Sequence, residues 1–269
     1  MDEYHKFMMW NLTWPEVQEN LKSNDIAIVS VSSTEQHGRH LPICTDAVIG
    51  LEVCKRTLKN FYDTTGQHAL LAAELRIGMS KHHMSFPGSL SLEPETLMAM
   101  IKEVCLGLIH HGYKKIVLVN SHGGNRTVIE GALRQVKDLT IEKGVYLFAV
   151  YQYSFDTKEW NTEISDAGPT GSSHAGERET SCMMASGYPI RTNEIPEKAI
   201  LPAYILPEFI NFKTTKYPGA VSWAWNMPEI SKDGYMGDPT ANPSAEKVEK
   251  SYQLRTKAFT EFLKQLADL

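Results

Sequence analysis

The sequence predicts an α/β protein: a three-layer α/β/α arrangement around a mostly parallel central sheet. Three observations carry that expectation. Strand and helix signals alternate along the chain, as they do where parallel strands are joined by helical crossovers. Two strand signals, residues 25–31 (DIAIVSV) and Lys115–Asn120 (KIVLVN), are apolar runs rather than alternating ones, which suits strands covered on both faces. The 269 residues suffice for one large core, and no repeat or low-complexity linker divides them, so 1–269 is expected to form a single domain.

Each element has its own local signal. Thr13-Trp14-Pro15-Glu16 reads as a capping box with proline early in the first turn, opening a helix through about Leu21. The strand at 25–31 follows. A helix runs from Thr45 through DAVIGLEVCKRTLKNF, and 69–73 is a short strand. Residues 92–111 form the clearest helix, with Ser91 as N-cap and Gly112 as C-cap. Strand Lys115–Asn120 leads into a tight Gly-Gly turn at 121–125, a helix over 126–137 and a strand over 145–150. Glu177–Ala185 has a helical pattern. Residues 188–243, rich in Pro, Trp, Tyr and Gly, read as long ordered loops, and 243–269 as an amphipathic helix.

Composition narrows the function classes. The chain is 42% hydrophobic and 22% charged with a formal net charge of −5 and no block of like charge, so it carries no electrostatic footprint for nucleic acid or an acidic membrane. The opening MDEYHKFMMWNLTWPEV lacks the basic and apolar regions of a signal peptide, and no apolar stretch is long enough to span a bilayer. The expected setting is cytoplasmic and the expected partner a small molecule. The four cysteines, Cys44, Cys54, Cys105 and Cys182, form no C-x-x-C pair and read as reduced thiols.

Three clusters could carry chemistry. Glu35-Gln36-His37-Gly38-Arg39-His40 begins beyond the first buried strand, where ligands of open α/β sheets bind. A Glu-x-His pair in extended chain sends both side chains the same way. Asp46, at the start of a helix, either caps it or returns to the same cavity and bridges two ions. Asn120-Ser121-His122-Gly123-Gly124-Asn125 follows the clearest strand. Its glycines let the chain pass close to a bound group, and His122 suits a metal ligand, with a phosphate cradle as the rival reading. In Ser173-His174-Ala175-Gly176-Glu177-Arg178-Glu179, His174 and Glu179 converge if His174 lies in the loop before the helix; Glu177 equally suits a helix dipole. Carboxylates and imidazoles without thiolates fit Zn²⁺, Mn²⁺ or Fe²⁺, and paired ions bridged by a carboxylate and hydroxide are a common hydrolytic device.

Taken in order, these motifs resemble the creatininase (creatinine amidohydrolase) family. Glu35-Gln36-His37-Gly38-Arg39-His40-Leu41-Pro42 with Thr45-Asp46, Ser121-His122-Gly123-Gly124-Asn125, and His174-Ala175-Gly176-Glu177-Arg178-Glu179-Thr180-Ser181 carry the resemblance. Ser85-Phe86-Pro87-Gly88-Ser89-Leu90-Ser91-Leu92 and Gly234-Tyr235-Met236-Gly237-Asp238-Pro239 agree with it, over about residues 10–265. It implies a creatininase-like α/β/α domain with two divalent ions, Zn²⁺ in first place and Mn²⁺ or Fe²⁺ also suited, hydrolysing the C–N bond of a cyclic amide or formamide through a metal-bridging hydroxide. Matched residue by residue, one ion falls to Glu35, Asp46 and His122, the other to His37, Asp46 and Glu179. His174 matches the proton shuttle, and Glu177 is expected to orient His174 or a ligand. A homo-oligomer, a hexamer by resemblance, is implied. Creatininase itself has a Tyr-Glu pair where Gly123-Gly124 stands, so the resemblance is to the broader branch, which includes formamide-cleaving and peptide-trimming members.

Aromatic residues of 203–227, with Tyr217, Trp223 and Trp225 foremost, are candidates for pocket walls, and Lys81, His82 and His83 for substrate contacts. Two other functions remain compatible with the residues alone: a metal-dependent isomerase or lyase, and a non-catalytic binder of phosphate ligands.

Overall fold

The computed structural model describes residues 3–199, 206, 208, 209, 216, 217 and 220–269. Among the described residues, four strands, β1 (Ile26–Val31), β2 (Leu70–Leu75), β3 (Lys115–Asn120) and β4 (Tyr146–Tyr151), form a parallel sheet of order β2-β1-β3-β4. All six residues of β1 are buried, which accounts for its unbroken apolar run. The pleat divides the central strands between two cores. Ile26, Ile28, Val117 and Val119 face one, Ala27, Val29, Val31, Ile116 and Leu118 the other.

Helices close both cores. The first is covered by α2 (Thr45–Thr65), α5 (Glu177–Ala185) and α6 (Ala245–Ala267), which bring Val53, Leu58, Phe61, Met183, Phe259 and Leu263. The second is covered by α3 (Pro94–His111) and α4 (Arg126–Leu139), with Leu97, Ile101, Ile129 and Val136. The result is the expected three-layer α/β/α arrangement. The chain passes from β1 to β2 on one side, while β3 pairs on the other, so the crevice beyond the carboxyl ends of β1 and β3 is the switch point of the sheet.

The boundaries follow local chemistry. Helix α1 (Trp14–Ser23) opens on the expected capping box: Glu16 Oε2 accepts the Thr13 backbone N–H at 2.7 Å and its hydroxyl at 2.6 Å. Helix α3 starts later than expected. Its N-cap is Glu93, with Pro94 in the first turn, because Ser91 Oγ is engaged by the Ser80 backbone N–H at 2.9 Å. Gly112 closes α3 at φ +112°, where a side chain would be strained. Helix α6 is capped by Ser244, whose Oγ accepts from Lys247 N at 3.2 Å. Within 188–243, short helices at Thr192–Glu194 and Met227–Ile230 interrupt the expected loops, and part of that stretch lies outside the described residues. Short helical turns between β4 and α5, including a π turn at Trp160–Ile164, carry no clear period in the sequence. All four cysteines are unpaired, and no described helix is long and apolar enough to cross a membrane.

Candidate metal centre

The three clusters meet at the switch point. Glu35 and His37 come from the segment after β1, Asp46 from the first turn of α2, His122 from the turn after β3, and Glu179 from the first turn of α5. Asp46 does not cap its helix, whose N-cap is Cys44; its carboxylate turns inward instead. Oδ1 lies 3.3 Å from His37 Nε2 and Oδ2 lies 3.2 Å from His122 Nδ1, so one carboxylate spans two imidazoles. Glu179 Oε2 stands 3.7 Å from His37 Nε2, and Glu35 Oε1 stands 3.2 Å from His122 Nδ1.

The outer nitrogen of each ring is already committed. His37 Nδ1 donates to the Glu35 carbonyl at 3.0 Å, and His122 Nε2 donates to the Met79 carbonyl at 3.1 Å. Such contacts fix tautomer and orientation. They leave His37 Nε2 and His122 Nδ1, each carrying a lone pair in the neutral ring, facing carboxylates in a buried space. Among the described residues, His37 Nε2 and Asp46 Oδ2 have no hydrogen-bond partner. A lone pair against a carboxylate is repulsive unless a cation, a proton or a metal ion, lies between them.

The electrostatics agree. Burial opposes a charge on His37, but Asp46, Glu179 and Glu35 outweigh it and hold the ring up at about 10. His122 is likewise raised well above the usual imidazole value, burial being overcome by Glu35 and Asp46. Glu35 is held well below the carboxylate range, because His122, His83 and His174 outweigh its burial. Burial, supported by Asp46 and Glu35, lifts Glu179 to about 7 against the pull of His37.

Donor sets confirm the convergence in space. His37, Asp46 and Glu179 offer ligand atoms within 4.8 Å of one another, as do Glu35, His37 and His174, and Glu35, His82 and His122. Ligands about 2.1 Å from a tetrahedral ion stand roughly 3.4 Å apart, close to the 3.2–3.7 Å separations found here. The residues therefore fit divalent ions.

His174 packs against His37, with ring centroids 4.2 Å apart, and its Nδ1 lies 3.5 Å from Glu35 Oε1. Gln36 Nε2 lies 3.0 Å from His174 Nε2 and 2.8 Å from His83 Nδ1, while its Oε1 accepts the Gly38 N–H at 2.8 Å. Burial and the neighbouring His37 and His83 keep His174 well below the usual imidazole value. The backbone around it is strained: Ala175 has φ +55°, and its N–H donates to Glu179 Oε2 at 2.7 Å. The Gly234–Gly237 segment holds this conformation, because the Met236 and Gly237 N–H groups donate to His174 O at 3.0 and 2.8 Å. A Cβ on Gly237 would lie 2.6 Å from Gly176 Cα, so glycine is needed for the approach.

Glu177 corrects an expectation. It touches neither His174 nor a carboxylate-bound imidazole. Its buried carboxylate accepts from Ser165 Oγ, from the Asp166 and Ala167 N–H groups at 3.2 and 3.1 Å, and from Lys247 Nζ at 2.7 Å. One helical residue past Gly176, its side chain projects away from the cluster and ties the 165–167 loop to α6. The Gly-Gly turn differs from expectation in its reason. Neither Gly123 nor Gly124 has positive φ; Gly124 is required because a Cβ would meet His122 Nε2 and Met79 O at 2.5 Å.

The cluster opens into a cavity of about 900 Å³, lined among others by Met79, His82, Tyr151, Trp223, Trp225 and Met236. Trp223 and Trp225 are thus wall residues. Tyr217 is not: it stacks on Phe209 at 5.3 Å. The rest of 203–227 lies largely outside the described residues. Lys81, His82 and His83 all line the cavity, and His83 Nε2 reaches within 3.5 Å of Glu35 Oε1. Sequence reasoning passed over Ser80, whose fully buried hydroxyl donates to Glu35 Oε2 at 2.5 Å, and Gln36. An isolated serine beyond β2 carries no sequence signal. Gln36 could have been found from its place between two candidate ligands.

The family model described as creatinine amidohydrolase matches residues 10–263. The mycofactocin precursor peptide peptidase of Mycolicibacterium smegmatis is 28% identical over 223 residues, which are 82% of this chain and 77% of that protein. The creatinine amidohydrolase of Pseudomonas putida is 28% identical over 231 residues, 79% of this chain and 85% of its own. A solved manganese form of creatininase shares the fold with a TM-score of 0.78 at 20% identity, covering 97% of this chain and 99% of that one. The chain belongs to the creatininase family of metal-dependent amidohydrolases.

Proposed function

We propose that this protein is a dinuclear metal amidohydrolase that cleaves the C–N bond of a cyclic amide or formamide. The observation that carries the reading is Asp46. A single buried carboxylate spans two imidazoles whose remaining nitrogens are already committed as donors, which is the arrangement a pair of cations requires. His37, Asp46 and Glu179 would hold one ion, and Glu35, Asp46 and His122 the other. Zn²⁺ suits the mixed oxygen and nitrogen donors best, with Mn²⁺ or Fe²⁺ also compatible. When bound, such ions polarise an amide carbonyl and bring a water toward neutral pKa.

The chain's own groups supply the rest. Gln36 Nε2 donates to Nε2 of His174, so the neutral ring carries its proton on Nδ1, the atom that faces Glu35 and is placed as a hydrogen-bond donor toward the cluster. The strained Ala175 backbone holds His174 and Glu179 together, since one peptide links the first and hydrogen-bonds the second. Trp223 and Trp225 give the cavity an apolar wall that limits water around the substrate.

A phosphate-binding role for the 121–125 turn fits less well, because an anion there would meet Glu35 and Asp46, which face His122. The relatives act, by their names, on creatinine and on a precursor peptide, so substrate screening should cover lactams, formamides and short peptides. On the same reading the chain works as one domain, in the cytoplasm, as a homo-oligomer whose size light scattering would give.

The deciding experiment is metal content by plasma mass spectrometry on protein purified without chelator, beside Asp46→Asn. Two ions per chain, diminished in the variant, are expected. A wild-type protein that takes up no Zn²⁺, Mn²⁺ or Fe²⁺ would overturn the reading. With a turned-over amide in hand, ¹⁸O from solvent must appear in the product acid; its absence would favour an isomerase or lyase.

A further inference from the structure

Resting on the metal-centre reading above, we propose that His82 is a fourth protein ligand on the Glu35–His122 side of the centre, beside Glu35, Asp46 and His122. Glu35, His82 and His122 each offer a donor atom within 4.8 Å of the others. Without His82 the two halves are alike, each with one imidazole and one glutamate beside the shared Asp46, but the His122 half also adjoins the stretch of cavity wall that His82 lines.

The backbone explains why a histidine from a distant loop can reach this place. Position 124 is glycine, and a Cβ built there would stand 3.1 Å from His82 Cε1 and 2.5 Å from His122 Nε2. The imidazole of His82 thus borders, with His122 and the Met79 carbonyl, the space that a side chain at 124 would claim. Its ring lies nearly parallel to that of His122, at 17° and 5.7 Å between centroids, and is braced edge-on by Trp225 at 4.9 Å. Held between a wall residue and a buried ligand, His82 faces both the centre and the substrate space.

His82 is partly accessible whereas His37 and His122 are buried, so its bond to an ion would be the one most easily exchanged for substrate or water. The first signal of this role is a change in metal binding rather than in rate. Removing one imidazole should weaken one of the two ions by at least about tenfold, since even outer contacts to metal ligands carry 10–100-fold effects.

The test is a Co²⁺ titration of the full chain, followed by visible absorption, with wild type, His82→Gly and His82→Gln. Wild type should take two ions. Both variants should bind one of them at least about tenfold more weakly, with an altered ligand-field band. Added imidazole should restore the affinity and band of His82→Gly, whose vacated space admits it, and should leave His82→Gln unchanged. Should the glycine variant fail to fold, the glutamine variant still reads the affinity and the band. If the variants titrate like wild type, His82 is no ligand and the proposal fails while the dinuclear reading survives. If wild type itself binds no Co²⁺, the metal-centre reading falls, and this proposal with it.

Discussion

Loading the centre with metal should release protons, and the number can be worked out from the site. In the metal-free protein His37 is held up at about 10 by Asp46, Glu179 and Glu35, and His122 well above its usual value by Glu35 and Asp46. At pH 8 His37 therefore carries a proton where an ion must bind, and that proton must leave; the upward shift of His122 acts in the same direction. The sign follows directly. Below about 10 the proton on His37 competes with metal, so affinity for that half should rise by about tenfold per pH unit from 7 toward 10 and level off above it. The same raised value stabilises the metal-free fold. That contribution is complete below the unfolded value near 6.5 and is lost as pH climbs through about 10, a few kcal/mol across the window. Calorimetric titration with Zn²⁺ at pH 8, in buffers of different ionisation enthalpy, counts the protons. At least about one per chain is expected, and fewer in Asp46→Asn, which removes the largest attraction on His37. Affinity independent of pH between 7 and 9, with no proton release, would refute the charge assignment and with it the reason for placing ions at these rings.

Further expectations concern single residues. His174→Ala should lower kcat by about 10²–10⁴-fold while both ions remain, measured by steady-state kinetics beside metal analysis; loss of the ions would make His174 a ligand instead. Glu177→Gln should cost about 1–3 kcal/mol in denaturant unfolding, since it removes the charge opposite Lys247 at 2.7 Å, yet leave metal stoichiometry intact. Gln36→Leu should reduce kcat more than KM and shift the pH–rate profile, because His174 and His83 lose a shared donor; an unchanged profile would make Gln36 merely structural. Thr13→Ala should lower thermal stability by about 1 kcal/mol without touching activity.

Much of the fold is legible because its signals are local. The apolar run of β1 and the KIVLVN strand need nothing beyond their own residues to declare burial on both faces, and the capping box at Thr13–Glu16 sits where its spacing puts it. What escapes the sequence depends on contacts between distant segments. Ser91 looks like an N-cap until Ser80 claims its hydroxyl, eleven residues away, and the helix starts at Pro94 instead. The turns between β4 and α5 have no period, since their form is set by Glu177 and Lys247 pulling the 165–167 loop toward α6.

The site shows the same division with more consequence. Glu35, His37, Asp46, His122 and Glu179 could be chosen from their types and their places beyond strands and at helix mouths, and the fold brings all five together. Glu177 shares every local property of Glu179, an acid in the first turn of the same helix. Only the helical rotation between them, about 200° for two residues at 3.6 per turn, separates a residue facing the centre from one that anchors a loop. His82 is the converse case. Its own neighbourhood, Lys81-His82-His83, suggests a substrate contact and no metal ligand, and its place beside the centre depends on a glycine forty-two residues on. The missing Cβ of Gly124 is visible in the sequence, but the ring that borders its space is visible only once β3 and the loop after β2 are brought side by side. Residues of this centre are thus readable where backbone periodicity aims them, and hidden where an absent side chain makes room for a distant one.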